Sequence, residues 1–123
     1  MGETDFCEPL ILEYLNGRRW RLVQAFTYHS QLAERAFIVP AGFVTDFASI
    51  PRFFWRVLPP TGEYGKAAVV HDGNYRENTT VTRKMADDVF LEGMRDLSVP
   101  AWKAQIMYHA VRLFGRGSYK GTR

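Results

Sequence analysis

Two neighbouring segments, residues 67–75 and 83–90, constrain this chain more than any other feature of its sequence. The first reads Ala-Ala-Val-Val-His-Asp-Gly-Asn-Tyr and the second Arg-Lys-Met-Ala-Asp-Asp-Val-Phe. On helices with 3.6 residues per turn, His71 and Tyr75 share one face of the first segment, and Asp87 borders the apolar stripe of the second. The pattern predicts two packed helices with ionisable groups close to their seam.

The two acids of the second helix are expected in different surroundings. Asp87 flanks the apolar stripe that runs from Ala86 to Leu97, whereas Asp88 points roughly the opposite way. We therefore predict that Asp87 meets His71 across the seam and that Asp88 is solvated.

These residue types suit two roles, a hydrolytic site and a structural clasp. A carboxylate on one ring nitrogen of His71 fixes the tautomer, so that the other nitrogen can accept a proton from water. Asp87 and Tyr75 would then orient His71, and Asp72 would bind a hard cation such as calcium together with backbone carbonyls of residues 58–63. A half-buried His bonded to an Asp is also a common clasp between helices, and the residue types alone favour that interpretation.

Three further residues are candidates for the site. Asp46 can act as a third carboxylate with Arg52 as its counter-ion, and Arg83 lies one turn before Asp87. In the alternative account of residues 43–52, Asp46 or Ser49 caps a helix start while the neighbouring apolar side chains enter the core. The aromatic run at 53–55 is expected to pack in the core as well.

Turn signals divide the chain into a β half and an α half. Asn16-Gly17 predicts a hairpin, because both residues tolerate positive φ, and residues 40–42 end the last strand. Ser, Thr and Pro residues mark helix starts, and Gly115 marks the final stop. The predicted strands are 9–15, 20–28 and 36–39, and the predicted helices are a short one from about 49, then about 63–77, 82–97 and 100–115.

The predicted architecture is α+β, with a small antiparallel N-terminal sheet followed by about three helices. At 123 residues the chain forms one domain, mainly β over 1–48 and mainly α over 49–115, with a basic tail at 116–123 that we expect to be frayed. The single cysteine, Cys7, excludes an internal disulfide. The net charge of +3, with both signs interspersed, predicts no specific binding of nucleic acid.

The sequence has neither a stretch long enough to span a membrane nor an apolar signal core at its acidic N-terminus. We therefore expect the protein to be made and folded in a cytoplasm, from which it can also enter a particle assembled there.

Nearly the whole chain resembles a family of phage and prophage proteins known as domain of unknown function 1353. The resemblance rests on the order and spacing of residues 43–52, of His71-Asp72 with Tyr75, and of Arg83 with Ala86-Asp87 and residues 90–94. It implies a viral or prophage origin and a place in the virion, but no established chemistry.

The two central helices are also similar to the core of phospholipase A2. The shared motifs are His71-Asp72-x-x-Tyr75 and Ala86-Asp87-x-x-Phe90. This resemblance implies that His71 is the general base on water, that Asp72 is a calcium ligand, and that Tyr75 and Asp87 form the hydrogen-bond network behind His71. The disulfides of the secreted enzymes and their glycine-rich calcium loop are missing; residues 60–62 are at best a reduced version of that loop.

The leading prediction for function is a virion-associated component of a phage tail, baseplate or neck with a phospholipase A2-like His/Asp centre. Its partners would be other phage structural proteins or a second copy of itself. The alternative is a calcium-dependent hydrolase that acts on lipid or envelope esters during entry, and whether the chain is an enzyme stays open. A third possibility is a cytoplasmic phage factor that binds a host protein.

Overall fold

The first half of the chain folds into two small antiparallel sheets. The computed structural model describes residues 5–47, 50–56, 64–77 and 80–120, with the side chains of residues 55 and 56 outside the description. One sheet has the order β1-β2-β5 and the other pairs β3 with β4. The strands are β1 (Leu12–Asn16), β2 (Arg19–Leu22), β3 (Phe26–Ser30), β4 (Arg35–Val39) and β5 (Val44–Thr45).

The predicted hairpin is confirmed, but the predicted strand at 20–28 is wrong. Gly17 adopts a φ of 55° between β1 and β2, a conformation that glycine allows without strain. Leu22 and Phe26 are both buried, as one strand would place them, yet the chain changes partner between them. Arg21 in β2 pairs with Val44, whereas Phe26 in β3 pairs with Val39 on the other sheet. Alternating burial cannot reveal such a change of partner.

Three helices follow in the order predicted. They are α1 (Gly65–Arg76), α2 (Arg83–Asp96) and α3 (Ala101–Phe114), with 3-10 helices at Arg52–Arg56 before α1 and Gly115–Ser118 after α3. The Thr82 hydroxyl accepts a hydrogen bond from the Met85 amide at 3.1 Å and so caps α2. Pro100 precedes α3, and Gly115 follows its last residue. None of the helices within the described ranges is long and apolar enough to cross a membrane.

Helix α1 forms the centre of the core. Every residue from 67 to 75 is buried, because the helix contacts β3, β4 and β5 as well as α2. Gly93 of α2 faces Ala67 so closely that a Cβ added at Gly93 would lie 3.3 Å from the Ala67 Cβ. This small pair lets α1 and α2 approach, and side chains one turn further along can meet between them.

Two expectations for individual segments are wrong in part. Phe53 is 83% exposed, and only Phe54 of the described aromatic pair is partly buried. Successive residues of a 3-10 helix point in directions a third of a turn apart, so one aromatic faces inward while its neighbour faces out. The tail is not frayed over its described residues 116–120. Tyr119 packs edge-on against Tyr75 at 5.3 Å, and the Lys120 amide donates to the Tyr75 carbonyl at 2.8 Å.

Candidate functional site

The carboxylate of Asp87 is the meeting point of α1, α2 and α3. Nε2 of His71 lies 2.7 Å from Oδ1 of Asp87, and the Tyr75 hydroxyl donates to the same oxygen at 2.6 Å. The contact predicted between His71 and Asp87 is thus confirmed. Asp88 is partly exposed and binds Lys84 and Tyr108 instead.

Two arginines lie close to the second carboxylate oxygen of Asp87. Arg112 of α3 donates to Oδ2 of Asp87 at 2.7 Å, and Arg83 lies 3.6 Å from the same atom. Arg83 also donates to the carbonyls of Val111 and Arg112 near the end of α3. Cations favour that end of a helix, where carbonyls lack intrahelical partners. The Asp87 centre, defined as His71, Tyr75, Arg83, Asp87 and Arg112, therefore joins three helices through one carboxylate.

The surroundings of Asp87 keep it ionised. Burial by itself raises the pKa of this carboxyl group, because the charged form loses its hydration. Hydrogen bonds from His71, Tyr75 and Arg112, together with the charge on His71, outweigh burial and hold the pKa below its usual range. The opposite change occurs at Tyr75, where burial and the neighbouring carboxylate raise the pKa of the phenol.

A second buried carboxylate, Asp72, lies next to His71 in sequence but has other partners. Its Oδ2 accepts a hydrogen bond from the Thr45 hydroxyl at 2.5 Å and lies 3.2 Å from Nη1 of Arg76. The same Arg76 nitrogen is 3.6 Å from Oδ1 of Asp46. Thr45 also accepts from the amide of Phe47 and so stabilises the turn after β5. Thr45, Asp46, Asp72 and Arg76 form what we call the Asp72 cluster.

Asp72 is less well compensated than Asp87. Its Oδ1 is buried and has no hydrogen-bond partner among the described residues, while a single arginine and a hydroxyl contact Oδ2. Burial raises the pKa of Asp72 above its ordinary value, although Thr45 and Arg76 act in the opposite direction. An incompletely paired buried carboxylate of this kind favours its protonated form.

The described residues do not by themselves make a calcium site. Calcium takes six to eight oxygen ligands, and Asp72 offers one oxygen, Oδ1, because Arg76 already supplies positive charge at the other. Across the part of the chain that the structure describes, no group of three or more His, Cys, Asp or Glu side chains is placed to hold a metal ion. The segment 58–63, predicted to supply carbonyl ligands, lies outside the described residues. Calcium binding stays a prediction.

The imidazole of His71 is enclosed by aromatic rings. His71 has no exposed surface, and its ring lies 4.2 Å from that of Tyr75 and 4.6 Å from that of Phe90, centroid to centroid. A general base must reach the proton that it abstracts, directly or through one water. The arrangement supplies an oriented imidazole and an ionised carboxylate, but it encloses the imidazole in the core.

The sequence-predicted residues thus fall into two groups that share α1. His71, Tyr75, Asp87 and Arg83 meet at one carboxylate, and Asp72 and Asp46 meet through Arg76. Arg52 is exposed on its 3-10 helix.

Sequence reasoning missed three participants, Arg112, Thr45 and Arg76. Arg76 was detectable, since it lies one helical turn after Asp72 and such pairs face each other on a helix. Thr45 and Arg112 come from distant parts of the chain, and no local spacing marks them.

Comparison with known proteins places the chain in a family. Residues 20–111 match the family described as "Protein of unknown function (DUF1353)". The chain belongs to this family. It is also similar to the "Uncharacterized protein y4jT" of Sinorhizobium fredii (strain NBRC 101917 / NGR234), with 43% identity over 79 residues. The match covers 63% of this chain but 23% of y4jT, so the chain spans about a quarter of the length of that curated relative. No solved structure matches the chain.

Membership of the DUF1353 family confirms the family named by the first resemblance, whereas the phage or prophage context stays a prediction. The family description names no activity, so the roles of individual residues rest on the geometry of the Asp87 centre and the Asp72 cluster. The similarity of α1 and α2 to phospholipase A2 stays a prediction.

Proposed function

We propose that this DUF1353 protein is a subunit of a phage- or prophage-derived particle and acts through protein contacts. In this proposal the Asp87 centre is a clasp that fixes the three helices. The observation that carries the proposal is the burial of His71, which has no exposed surface although it is the only candidate base in the centre. An imidazole that must bind water and substrate needs access to a cleft.

The partners of Asp87 support the same conclusion. Both of its oxygens are engaged, and the positive charges of two arginines lie beside its one negative charge. Arg112 is the link to α3, so the centre fixes the orientation of a helix with an exposed apolar surface. The large apolar side chains exposed on α3 are Trp102, Ile106, Leu113 and Phe114. Grouped apolar side chains on a surface are typical of protein interaction sites.

The particle context comes from the phage resemblance of the sequence. The much longer relative y4jT, of which the matched part is 23%, is compatible with a module that occurs alongside other sequence. Tail, baseplate and neck remain equal candidates for its position.

The test is the protein content of purified particles. A lysogen that carries the gene is induced, particles are separated on a density gradient, and their proteins are quantified by mass spectrometry. We expect the chain at a fixed stoichiometry in the particle fraction, with a gene deletion as the control. Its absence from purified particles would overturn the proposal.

A matched variant separates a clasp from a catalytic base. His71→Gln keeps an N–H donor for Asp87 but removes the imidazole. If His71 is a clasp, a folded His71→Gln protein enters particles normally and the particles stay infectious. If it is a base, incorporation is normal but infectivity is lost.

A calcium-dependent hydrolase of lipid or envelope esters is the second candidate. It is favoured by the contact of His71 Nε2 and Tyr75 with one oxygen of Asp87, and by Oδ1 of Asp72, which bonds no residue in the described part of the chain. In this candidate Asp87 and Tyr75 position the imidazole, and Asp72 contributes a cation ligand. Bound calcium would supply electrophilic stabilisation of an oxyanion.

The hydrolase candidate predicts two measurable results. Calcium must raise the melting temperature in a way that Asp72→Asn abolishes, because a ligand that binds the native state stabilises it. Phosphatidylglycerol vesicles must also release fatty acid with the wild type and not with His71→Gln. Unchanged melting together with intact vesicles would leave the particle subunit as the remaining proposal.

A further inference from the structure

Helix α3 carries a narrow exposed stripe that the core does not use. Trp102, Ile106, His109 and Leu113 are all exposed, at successive spacings of four, three and four residues. This spacing is the a/d repeat with which one helix packs against another. From Trp102 to Leu113 the stripe is about 16 Å long at the rise of an α-helix. We call these four residues the α3 stripe.

The end of the stripe continues into further exposed apolar surface. Phe114, 63% exposed, follows Leu113, and its ring lies 6.4 Å from that of Phe54. Phe54 in turn contacts the exposed Phe53 edge-on at 5.4 Å. The surface therefore extends from α3 onto the 3-10 helix before α1.

Charge is distributed unevenly around this surface. The last 27 residues carry five of the 16 cations and none of the 13 acids, so residues 1–96 have a net charge of −2. Lys103 lies beside the stripe, with its ammonium group 5.7 Å from the Trp102 ring, and Arg116 and Lys120 are exposed beyond the helix end. A partner with acidic residues beside an apolar seam complements this pattern.

We propose that the α3 stripe binds an acidic amphipathic helix of another particle protein. The inference rests on the proposed function, because it names the surface and the partner through which a particle subunit would act. Two features favour such a helix over other occupants. His109 places a polar group in the middle of the seam, where it can fix the register of a helix pair but would oppose insertion into lipid. A second copy of this chain would bring two basic surfaces together.

The first experiment measures binding of a defined probe. A fluorescent three-heptad peptide with Leu at positions a and d and Glu at e and g is compared with a twin that has Lys at e and g. We expect the Glu peptide to bind and the Lys peptide not to bind. Leu113→Glu should weaken binding about tenfold or more, because it places a charge in the apolar contact.

A matched control keeps the result specific to the stripe. Ile38 of β4 is 63% exposed, comparable to Leu113 at 73%, and lies on the other half of the molecule. Ile38→Glu introduces the same charge and should bind the Glu peptide as the wild type does. Equal binding by Leu113→Glu and wild type, or equal binding of the two peptides, would overturn the inference.

Two other occupants of the α3 stripe, a lipid surface and a second copy of the chain, would give different results. Binding to phosphatidylglycerol vesicles without binding of the Glu peptide would replace the helix by a lipid surface. A dimer in sedimentation that Leu113→Glu dissociates would replace it by a second copy.

Assembled particles separate this inference from the proposed function. A photo-crosslinking residue at position 106 should capture an acidic helical segment of a different particle protein. If the chain is present in particles and Leu113→Glu is incorporated as efficiently as wild type, the inference about the α3 stripe is wrong, whereas the proposed particle function is supported. If the chain is absent from particles, the particle function is wrong whatever the peptide does.

Discussion

Asp87 and Asp72 are equally buried, and yet their pKa values move in opposite directions. Neither side chain has exposed surface. The pKa of Asp87 is lowered, because His71, Tyr75 and two arginines share its two oxygens. The pKa of Asp72 is raised, because burial outweighs the bonds from Thr45 and Arg76 to one oxygen, and no described residue bonds the other.

The comparison shows that the number of partners, rather than depth, decides what a buried carboxylate can do. A fully paired carboxylate such as Asp87 is held ionised and fixes its neighbours in place. An incompletely paired one such as Asp72 costs folding energy when ionised, and it keeps an oxygen that can bind a ligand. Positions of the second kind are candidates for function.

Asp87→Asn should have the largest effect on stability. The change keeps the shape of the side chain but leaves two arginines of the centre without a counter-charge. Loss of one partner of a buried ion pair typically costs several kcal/mol, and partial exposure of the arginines reduces this to about 3 kcal/mol. Urea denaturation measures the difference, with Asp88→Asn as the control, since Asp88 pairs at the surface with Lys84. Equal effects of the two variants would refute a special role for Asp87.

Arg112→Gln should be next, at about 2 kcal/mol, the usual range for a hydrogen bond to a charged group. It also has a signature in pH. The pKa of Asp87 is lowered from 3.8. Its contribution to folding stability is therefore present above pH 3.8 and is lost as the pH falls through the folded-state pKa. Without Arg112 the pKa of Asp87 rises, so acid unfolding should begin at a higher pH than in the wild type. An unshifted acid transition would contradict this account.

Tyr75→Phe should cost about 1 kcal/mol, the net value of one hydrogen bond. The ring stays packed against His71 and Tyr119, while the hydroxyl loses its bond to Asp87 at 2.6 Å and a longer one from Arg83 at 3.4 Å. Thermal denaturation measures this change. A loss as large as that of Asp87→Asn would mean that the phenol, and not the carboxylate, organises the centre.

Asp72→Asn should have the smallest effect and the opposite sign at neutral pH. The pKa of Asp72 in the folded protein lies above its ordinary value of 3.8. Its contribution to stability is therefore fully present below pH 3.8 and is lost as the pH rises through the folded-state pKa. The asparagine variant avoids that loss, so it should be at least as stable as wild type at pH 7. The two proteins should converge below pH 3.8. Lower stability of the variant at pH 7 would show that the ionised form of Asp72 is fully compensated.

The helices, and the contact of three residues in the Asp87 centre, could be predicted from the sequence. His71, Tyr75 and Asp87 lie on consecutive helices, and helical periodicity alone places them on facing sides of one seam. The cap at Thr82 and the stop at Gly115 gave the helix boundaries within a residue or two.

Contacts between distant segments could not be predicted in this way. Arg112 reaches Asp87 from α3, and Thr45 reaches Asp72 from a strand of two residues that is too short to show a period. The division of the strands between two sheets depends on pairing partners, which no single segment encodes.

The narrow gap at Gly93 has a consequence for how this protein can change. The hydrogen bond between imidazole and carboxylate spans 2.7 Å, and its length depends on how near two backbones come at a residue without a side chain. A methyl group at position 93 would lie 3.3 Å from the Cβ of Ala67, so the contact between the two helices would have to widen by a few tenths of an ångström. Gly93→Ala should therefore loosen the hydrogen bond between His71 and Asp87 without changing any residue of the Asp87 centre.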